Sequence, residues 1–285
     1  MAGKLFVLLP PSEAKMPGGS RVAKKGSFDD ELAGARLVAL DSLLRDLDSA
    51  PTKRRELLLN ARGPLMERAI EATKELAAGS ARLLPAWKRY SGVVWSHLDP
   101  ATIALPVRRR ILIPSAIYGI TTGEDPIADF RLKMNIGVGS LGTMATYWRA
   151  HLTSVLSAHT RRATVVNLLP KEHGSAIDFD ALRATCTVIT VAFIDESRGV
   201  IVGHDAKATK GVLARRLLDE GVESLSSFEW RGWRADVRDG LVHVVAPSLP
   251  FKAVRKREQL SDTTRDLGPH FVNDASRFDD GRLGK

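Results

Sequence analysis

Short apolar runs that end in turn residues alternate along this chain with segments of helical periodicity. Leu5-Phe-Val-Leu-Leu9 reads as a buried strand stopped by Pro10-Pro11, whose fixed φ and missing N–H cannot continue a ladder. From Ser27 to Leu98 the pattern is helical. Leu37, Leu40, Leu43, Leu44 and Leu47 recur at three- and four-residue spacing, Leu65, Ala69, Ala72 and Leu76 repeat the pattern, and Pro64 marks a helix start. Behind a basic rim at Arg108-Arg-Arg110, Ile111-Leu-Ile-Pro114 predicts a buried strand and Gly119 a turn, and Thr143 to Leu156 predicts a helix. Two more strands are expected: Thr164 to Leu169, closed by Pro170, and Cys186 to Ile194, closed by Asp195 to Gly199. Val200 to Gly203 is expected to form a hairpin with the second, and Gly211 to Gly221 is amphipathic, with Val212, Leu213, Leu217 and Leu218 on one side. Strands and helices that interleave in this way predict a mixed α/β (α+β) fold, one compact domain over residues 1–247.

Beyond Pro247 the character changes. Lys252, Arg255, Lys256 and Arg257 crowd together and large apolar residues become sparse, so residues 248–285 are expected to form a basic extension that packs loosely or stays mobile.

Composition narrows the possibilities. With 285 residues, 44% of them hydrophobic, the chain can bury a substantial core, which excludes disorder as its main state. No apolar run approaches the roughly 20 residues that a membrane-crossing helix needs, and no leader pattern precedes the first strand, so the expected setting is the cytoplasm. A single cysteine, Cys186, in an apparent buried strand, excludes a disulfide framework and a multi-cysteine metal site. The seven histidines lack metal-binding spacing, so neither metal nor cofactor is expected. The 42 Lys+Arg against 33 Asp+Glu give a formal charge of +9, which suits a polyanionic partner as readily as it suits a soluble basic enzyme.

Several segments carry candidate chemistry. Gly137-Val-Gly-Ser-Leu-Gly142 has the dinucleotide spacing, but the preceding Phe130-Arg-Leu-Lys-Met134 is too polar for a central strand, and a Rossmann site is not expected. Lys207-Ala-Thr-Lys-Gly211 is read as lying just ahead of a helix, where an anion between Lys207, Lys210 and free N–H groups would offset the repulsion of the macrodipole. Lys15 follows the first strand, where α/β sheets place ligands, and Asn167 and Asp195-Glu196 end two others. For each alone, the polar start of a loop is an equally good account.

In order along the chain, Pro11-Ser-Glu-Ala-Lys15, Tyr90-Ser-Gly-Val-Val-Trp-Ser-His-Leu98, Ser115-Ala-Ile-Tyr-Gly119, Phe130-Arg-Leu-Lys-Met134, Tyr147-Trp148, Phe193-Ile-Asp-Glu196 and Lys207-Ala-Thr-Lys-Gly211 resemble the motifs of the peroxide stress protein YaaA family. The resemblance covers roughly residues 4 to 235. It implies a cytoplasmic protein of the response to hydrogen peroxide that limits iron-driven oxidative damage. It also implies a compact fold with a basic cleft, and sequence-independent binding of double-stranded DNA through a helix-hairpin-helix-like element. Ile136-Gly-Val-Gly139 is the candidate hairpin, since Gly137 and Gly139 let a backbone approach a phosphate closely.

Two readings follow. In one, Arg89, Arg131, Lys207, Lys210, Arg215 and Arg216 contact DNA phosphates. In the other, the residues carried over by the resemblance, Lys15, Tyr118, Arg131, Asn167, Glu196 and Lys207, form the site of an enzyme acting on a small anionic or nucleotide-like substrate. Nonspecific DNA binding needs only positive charge, whereas that set holds an acid, an amide, a phenol and amines.

Overall fold

The apolar runs form the middle of a sheet because they are too uniformly hydrophobic to face water on either side. A computed structural model describes residues 4–22, 25–194, 204–238 and 241–246. In chain order, β1 (Leu5–Leu8) leads to the helices α1 (Asp29–Ser49), α2 (Thr52–Leu59) and α3 (Pro64–Ala77). Short pieces follow: β2 (Leu84–Pro85), α4 (Ala86–Arg89), α5 (Val93–Leu98) and α6 (Leu105–Arg108). Then come β3 (Ile111–Ser115), β4 (Gly119–Thr122), β5 (Pro126–Ile127), α7 (Met144–His159), β6 (Thr164–Asn167), α8 (Lys171–Gly174), α9 (Phe179–Arg183) and β7 (Thr187–Ile194). The described chain closes with α10 (His204–Glu220), β8 (Glu229–Trp230), β9 (Trp233–Arg238) and β10 (Leu241–Val245). The fold is mixed α/β, as the interleaving of strands and helices predicts.

Eight strands make one sheet in the order β4-β3-β1-β6-β7-β10-β9-β8, and β2 and β5 form a separate pair. The run β3-β1-β6-β7-β10 is parallel, with β1 in register Val7↔Ile111 on one side and Leu8↔Asn167 on the other. The chain leaves β1 in one direction to reach β3, then returns past it to β6, β7 and β10. The strand order therefore reverses between β1 and β6, and in an open parallel sheet a ligand crevice forms over the carboxyl ends of the strands at such a point.

Helix faces differ in phase from the leucine count. On α1 the buried residues are Leu32, Ala39, Leu43 and Leu47, while Leu37 is exposed. At about 100° per residue, Leu37 lies about 120° from Leu43, and the smaller Ala39 faces the core instead. On α3, Pro64 does occupy the first turn, but Met66, Ala69 and Thr73 are buried and Leu65 is exposed. Trp148 of α7 is fully buried against the turn into β4. A Cβ at Gly119, whose φ is +70°, would stand 2.8 Å from its ring, and its Nε1 donates to the Ala116 carbonyl at 2.9 Å.

Two further expectations change. α10 begins at His204, so Lys207 and Lys210 lie inside the helix rather than ahead of it, and Gly211 is a mid-helix glycine. The glycine suggested a boundary, but it lets α10 lie against α5: a Cβ there would be 2.4 Å from the Val94 carbonyl oxygen. β7 is flanked by the parallel strand β10, which the sequence reading did not anticipate, while the expected partner at 200–203 and the extension at 248–285 lie outside the described residues.

Candidate functional site

The crevice predicted by the strand order exists. Its walls are Pro11, Ser12, Glu13 and Lys15 after β1, Leu59 and Asn60 at the end of α2, Ser115 and Ala116 at the end of β3, Phe130 to Lys133, and Glu172 and His173 of α8. A neighbouring cavity shares Glu13, Lys15, Phe130 and Arg131 and extends to Arg68, Ser91 and Asp129.

Lys15 reaches the crevice because Pro10-Pro11 ends β1 and the chain doubles back along the segment before α5. Lys15 pairs with Tyr90 in an antiparallel bridge, Met16 N–H donates to the Arg89 carbonyl at 2.8 Å, and Ser91 N–H donates to the Ala14 carbonyl at 3.2 Å. The Lys15 Nζ donates to the Ser12 carbonyl at 3.1 Å and lies 4.5 Å from the centre of the Phe130 ring and 5.7 Å from that of Tyr90. Burial lowers its pKa to about 8; Asp129 opposes the shift and Arg131 adds to it.

Arg131 and Lys133, two residues apart in the segment after β5, both face Glu13: Arg131 Nη2 is 3.7 Å and Lys133 Nζ 3.3 Å from its carboxylate. Asn60, in the left-handed conformation at the end of α2, donates to the same carboxylate at 3.2 Å. The Arg131 guanidinium also donates to the carbonyls of Leu59 at 3.2 Å and Asn60 at 3.3 Å, where a helix C-terminus favours a cation.

On the far wall, the His173 Nδ1 is buried with no hydrogen-bond partner among the described residues. Burial, reinforced by Lys210, lowers its pKa to about 4 and keeps the imidazole neutral. The Lys210 Nζ lies 5.1 Å from the Phe193 ring, and burial together with Lys207 lowers its pKa to about 8.

Of the six enzyme candidates, Lys15 and Arg131 line the crevice. Tyr118 stands behind it: its hydroxyl accepts from Ala128 N–H at 2.9 Å, its ring lies 5.6 Å from Phe130, and burial pushes its pKa to about 12. It is a neutral prop for the Phe130 wall. Asn167 is buried, and its Oδ1 accepts from Leu169 N–H at 3.0 Å, turning the chain toward Pro170 and His173. Lys207 is exposed on α10, and Glu196 lies outside the described residues.

The anion-binding candidates need correction. Arg89 is not a surface contact: it is 1% exposed, and its guanidinium donates to the carbonyls of Met16, Gly18, Arg82 and Ile127. Arg215 and Arg216 face carboxylates one turn on, Asp219 at 2.6 Å and Glu220 at 2.9 Å. The Gly137–Gly139 loop is clipped to α1 and α2. Arg54 donates to the Gly137 carbonyl at 2.8 Å, the Asp46 carboxylate accepts from Gly139 N–H at 3.1 Å, and a Cβ on Gly139 would lie 2.6 Å from the Ser42 hydroxyl. The close approach to a phosphate expected of this backbone is therefore taken up by α1, and the Gly139 N–H is already bound. Burial raises the pKa of Asp46, but the Arg54 and Gly139 hydrogen bonds outweigh it and hold the carboxyl below its usual value.

The sequence reading passed over Glu13, Asn60, Lys133 and His173 as site residues. For Arg131 and Lys133 the usable signal was the two-residue spacing in a segment without helical periodicity. For His173 it was the proline three residues earlier, which turns the chain back over a strand end. Among the described residues, no group of three or more His, Cys, Asp or Glu side chains is placed to hold a metal ion.

Comparison with known proteins matches residues 5–238 to the family described as peroxide stress protein YaaA. A UPF0246 protein of Streptomyces coelicolor is 31% identical over 223 residues, spanning 76% of this chain and 84% of that protein. A UPF0246 protein of Corynebacterium glutamicum is 29% identical over 217 residues, 75% of this chain and 84% of its own length. One from Flavobacterium johnsoniae is 28% identical over 164 residues, 53% of this chain and 64% of that protein.

Proposed function

The chain belongs to the peroxide stress protein YaaA family, and from that premise we propose that it serves the peroxide response by binding a small phosphorylated molecule in the strand-end crevice. The observation that carries this reading is the convergence of Lys15, Arg131 and Lys133 at the point where the strand order reverses. A guanidinium and two ammonium groups suit a phosphate, the guanidinium through its paired N–H donors. Cavities of about 80 and 230 Å³ that share four residues admit a phosphate group with a modest organic body, at the lower end of ordinary ligand sites.

Glu13 occupies the place of that anion. It is exposed and makes two ion pairs that a ligand must displace, each worth about 0.2–1 kcal/mol. Glu13→Gln is therefore expected to tighten binding of inorganic phosphate and of adenosine monophosphate by roughly two- to tenfold in calorimetric titration, and Arg131→Met to abolish it. Unchanged affinity in both variants removes the reading.

A second reading has a different support. The +9 charge, and exposed Lys207 beside Lys210, favour contact with the phosphates of duplex DNA, through which a cytoplasmic protein would shield DNA and limit iron-driven damage. Affinity for a duplex should then fall with salt, log K against log salt sloping by about −0.9 for each phosphate contact. A flat dependence excludes it. No helix among the described residues is long and apolar enough to cross a membrane.

A further inference from the structure

Resting on the anion-binding reading of the crevice, we propose that Lys15 is a nucleophile, whose Nζ condenses with the aldehyde or ketone carbon of a small anionic substrate held by Arg131 and Lys133. A lysine that only binds an anion needs its charge, and proteins usually keep that charge by placing a carboxylate beside it. Here, among the described residues, Nζ has one hydrogen bond, to the neutral Ser12 carbonyl, and no ion pair. The adjacent carboxylate in sequence, Glu13, is drawn to Arg131 and Lys133 instead. The Phe130 and Tyr90 rings exclude water from the amine and offer its charge only the weak attraction of a ring face in place of a carboxylate.

A second, independent observation points to a missing reactant. Among the described residues, three buried side-chain polar atoms lack a partner. One of them, the His173 Nδ1, belongs to a residue that lines the same crevice as Lys15, and another, the Tyr90 hydroxyl, is on the ring that lies 5.7 Å from Nζ. Buried polar groups are almost always satisfied, so an orphan such as the His173 Nδ1 on a crevice residue marks a position that a ligand or its water fills. Burial raises the Tyr90 pKa and lowers that of His173, so both groups are neutral.

The step balances without a further reactant. The lone pair of the neutral amine forms the C–N bond, the carbonyl π electrons move to oxygen, and one amine hydrogen passes to that oxygen to give a carbinolamine. The second nitrogen hydrogen then passes to the hydroxyl as the C–O bond breaks and water leaves, so that an imine joins Lys15 to the substrate carbon. The groups that set the charge of Lys15 are Glu13 on its own loop, Arg89 on α4, and Asp129 and Arg131 on the strip after β5. Against a pKa of about 8, roughly a tenth of the amine is neutral at pH 7.

The test uses pyridoxal phosphate, an aldehyde that carries a phosphate, added to the full chain and trapped with borohydride before the modified lysines are mapped by peptide mass. Lys15 should be labelled at least about tenfold faster than exposed Lys53 and Lys88, since each unit by which an amine's pKa falls below the ordinary lysine value raises its neutral fraction about tenfold. The labelling rate should rise with a midpoint near pH 8, inorganic phosphate should slow it, and pyridoxal, which lacks the phosphate, should react more slowly. Labelling of Lys15 no faster than that of the exposed lysines overturns the nucleophile. Phosphate titration of the same protein separates the two claims: phosphate binding without a Lys15 adduct removes the nucleophile and leaves the crevice reading intact, whereas absence of both removes both.

Discussion

Replacing Arg89 with methionine is expected to destabilise the protein by about 3 kcal/mol, read as a shift of the urea midpoint at unchanged slope. Methionine fills much of the same volume, so the loss lies in polarity rather than packing. Four backbone carbonyls, of Met16, Gly18, Arg82 and Ile127, lose their donor together. A buried acceptor without a partner costs about 1–3 kcal/mol, and part of this cost is recovered because water reaches the exposed residues Met16, Gly18 and Arg82. Arg89→Lys should fail almost as badly, since one ammonium cannot span the directions that the planar guanidinium covers. The consequence reaches the site. Arg89 ties residues 16–18, just after Lys15, to the end of the α4 segment, and the Lys15–Tyr90 bridge forms on the same tie. Freed from it, Lys15 gains water and its pKa should rise toward the ordinary lysine value, seen as a later pH midpoint for pyridoxal phosphate labelling. A variant within 1 kcal/mol of the parent would show that the clamp is dispensable.

The same residue shows what a sequence can and cannot disclose. Arg89 next to Lys88 reads as surface charge, because arginine is rarely fully buried. Only the tertiary approach of three separate segments, at residues 16–18, Arg82 and Ile127, makes it a clamp. Elements whose information is local were legible: the strand ended by Pro10-Pro11, the helix that starts at Pro64, and the strand ended by Pro170. The mixed α/β class followed from their alternation. Elements decided by long-range packing were not. α10 runs through a glycine because α5 lies against it, and the buried faces keep Leu43, Leu47 and Ala69 of the periodic pattern but add Ala39 and Met66 where it had Leu37 and Leu65. The site divided in the same way. Lys15 and Arg131 were found from motifs, but Lys133 and Glu13 become functional only through one another, across more than a hundred residues of chain.

Gly211→Val is expected to be the most damaging single change on α10, and Gly211→Ala the more informative one. Alanine in a helix interior gains about 1 kcal/mol over glycine by propensity, so an unencumbered site would be stabilised. At this position the new Cβ meets the Val94 carbonyl oxygen at 2.4 Å, the His97 Cβ at 2.8 Å and the Leu98 nitrogen at 3.1 Å. Two of those atoms are backbone of α5, whose own hydrogen bonds prevent it from yielding, so α10 must retreat. Overpacking of a well-filled contact costs about 1–3 kcal/mol, which outweighs the propensity gain, and the branched valine adds to the clash while losing the gain. Alanine should therefore lower stability by up to about 2 kcal/mol, a fall in Tm of roughly 4–8 °C for a chain of this size. The retreat also has a local reporter. Lys210 sits one residue before the glycine, and its charge adds to burial in holding the His173 pKa near 4. As α10 withdraws and water enters, the His173 pKa should climb toward 6.5 in an NMR titration, while the parent's imidazole stays neutral down to about pH 4. Increased stability together with an unmoved His173 would mean that the α5–α10 contact has slack the geometry denies.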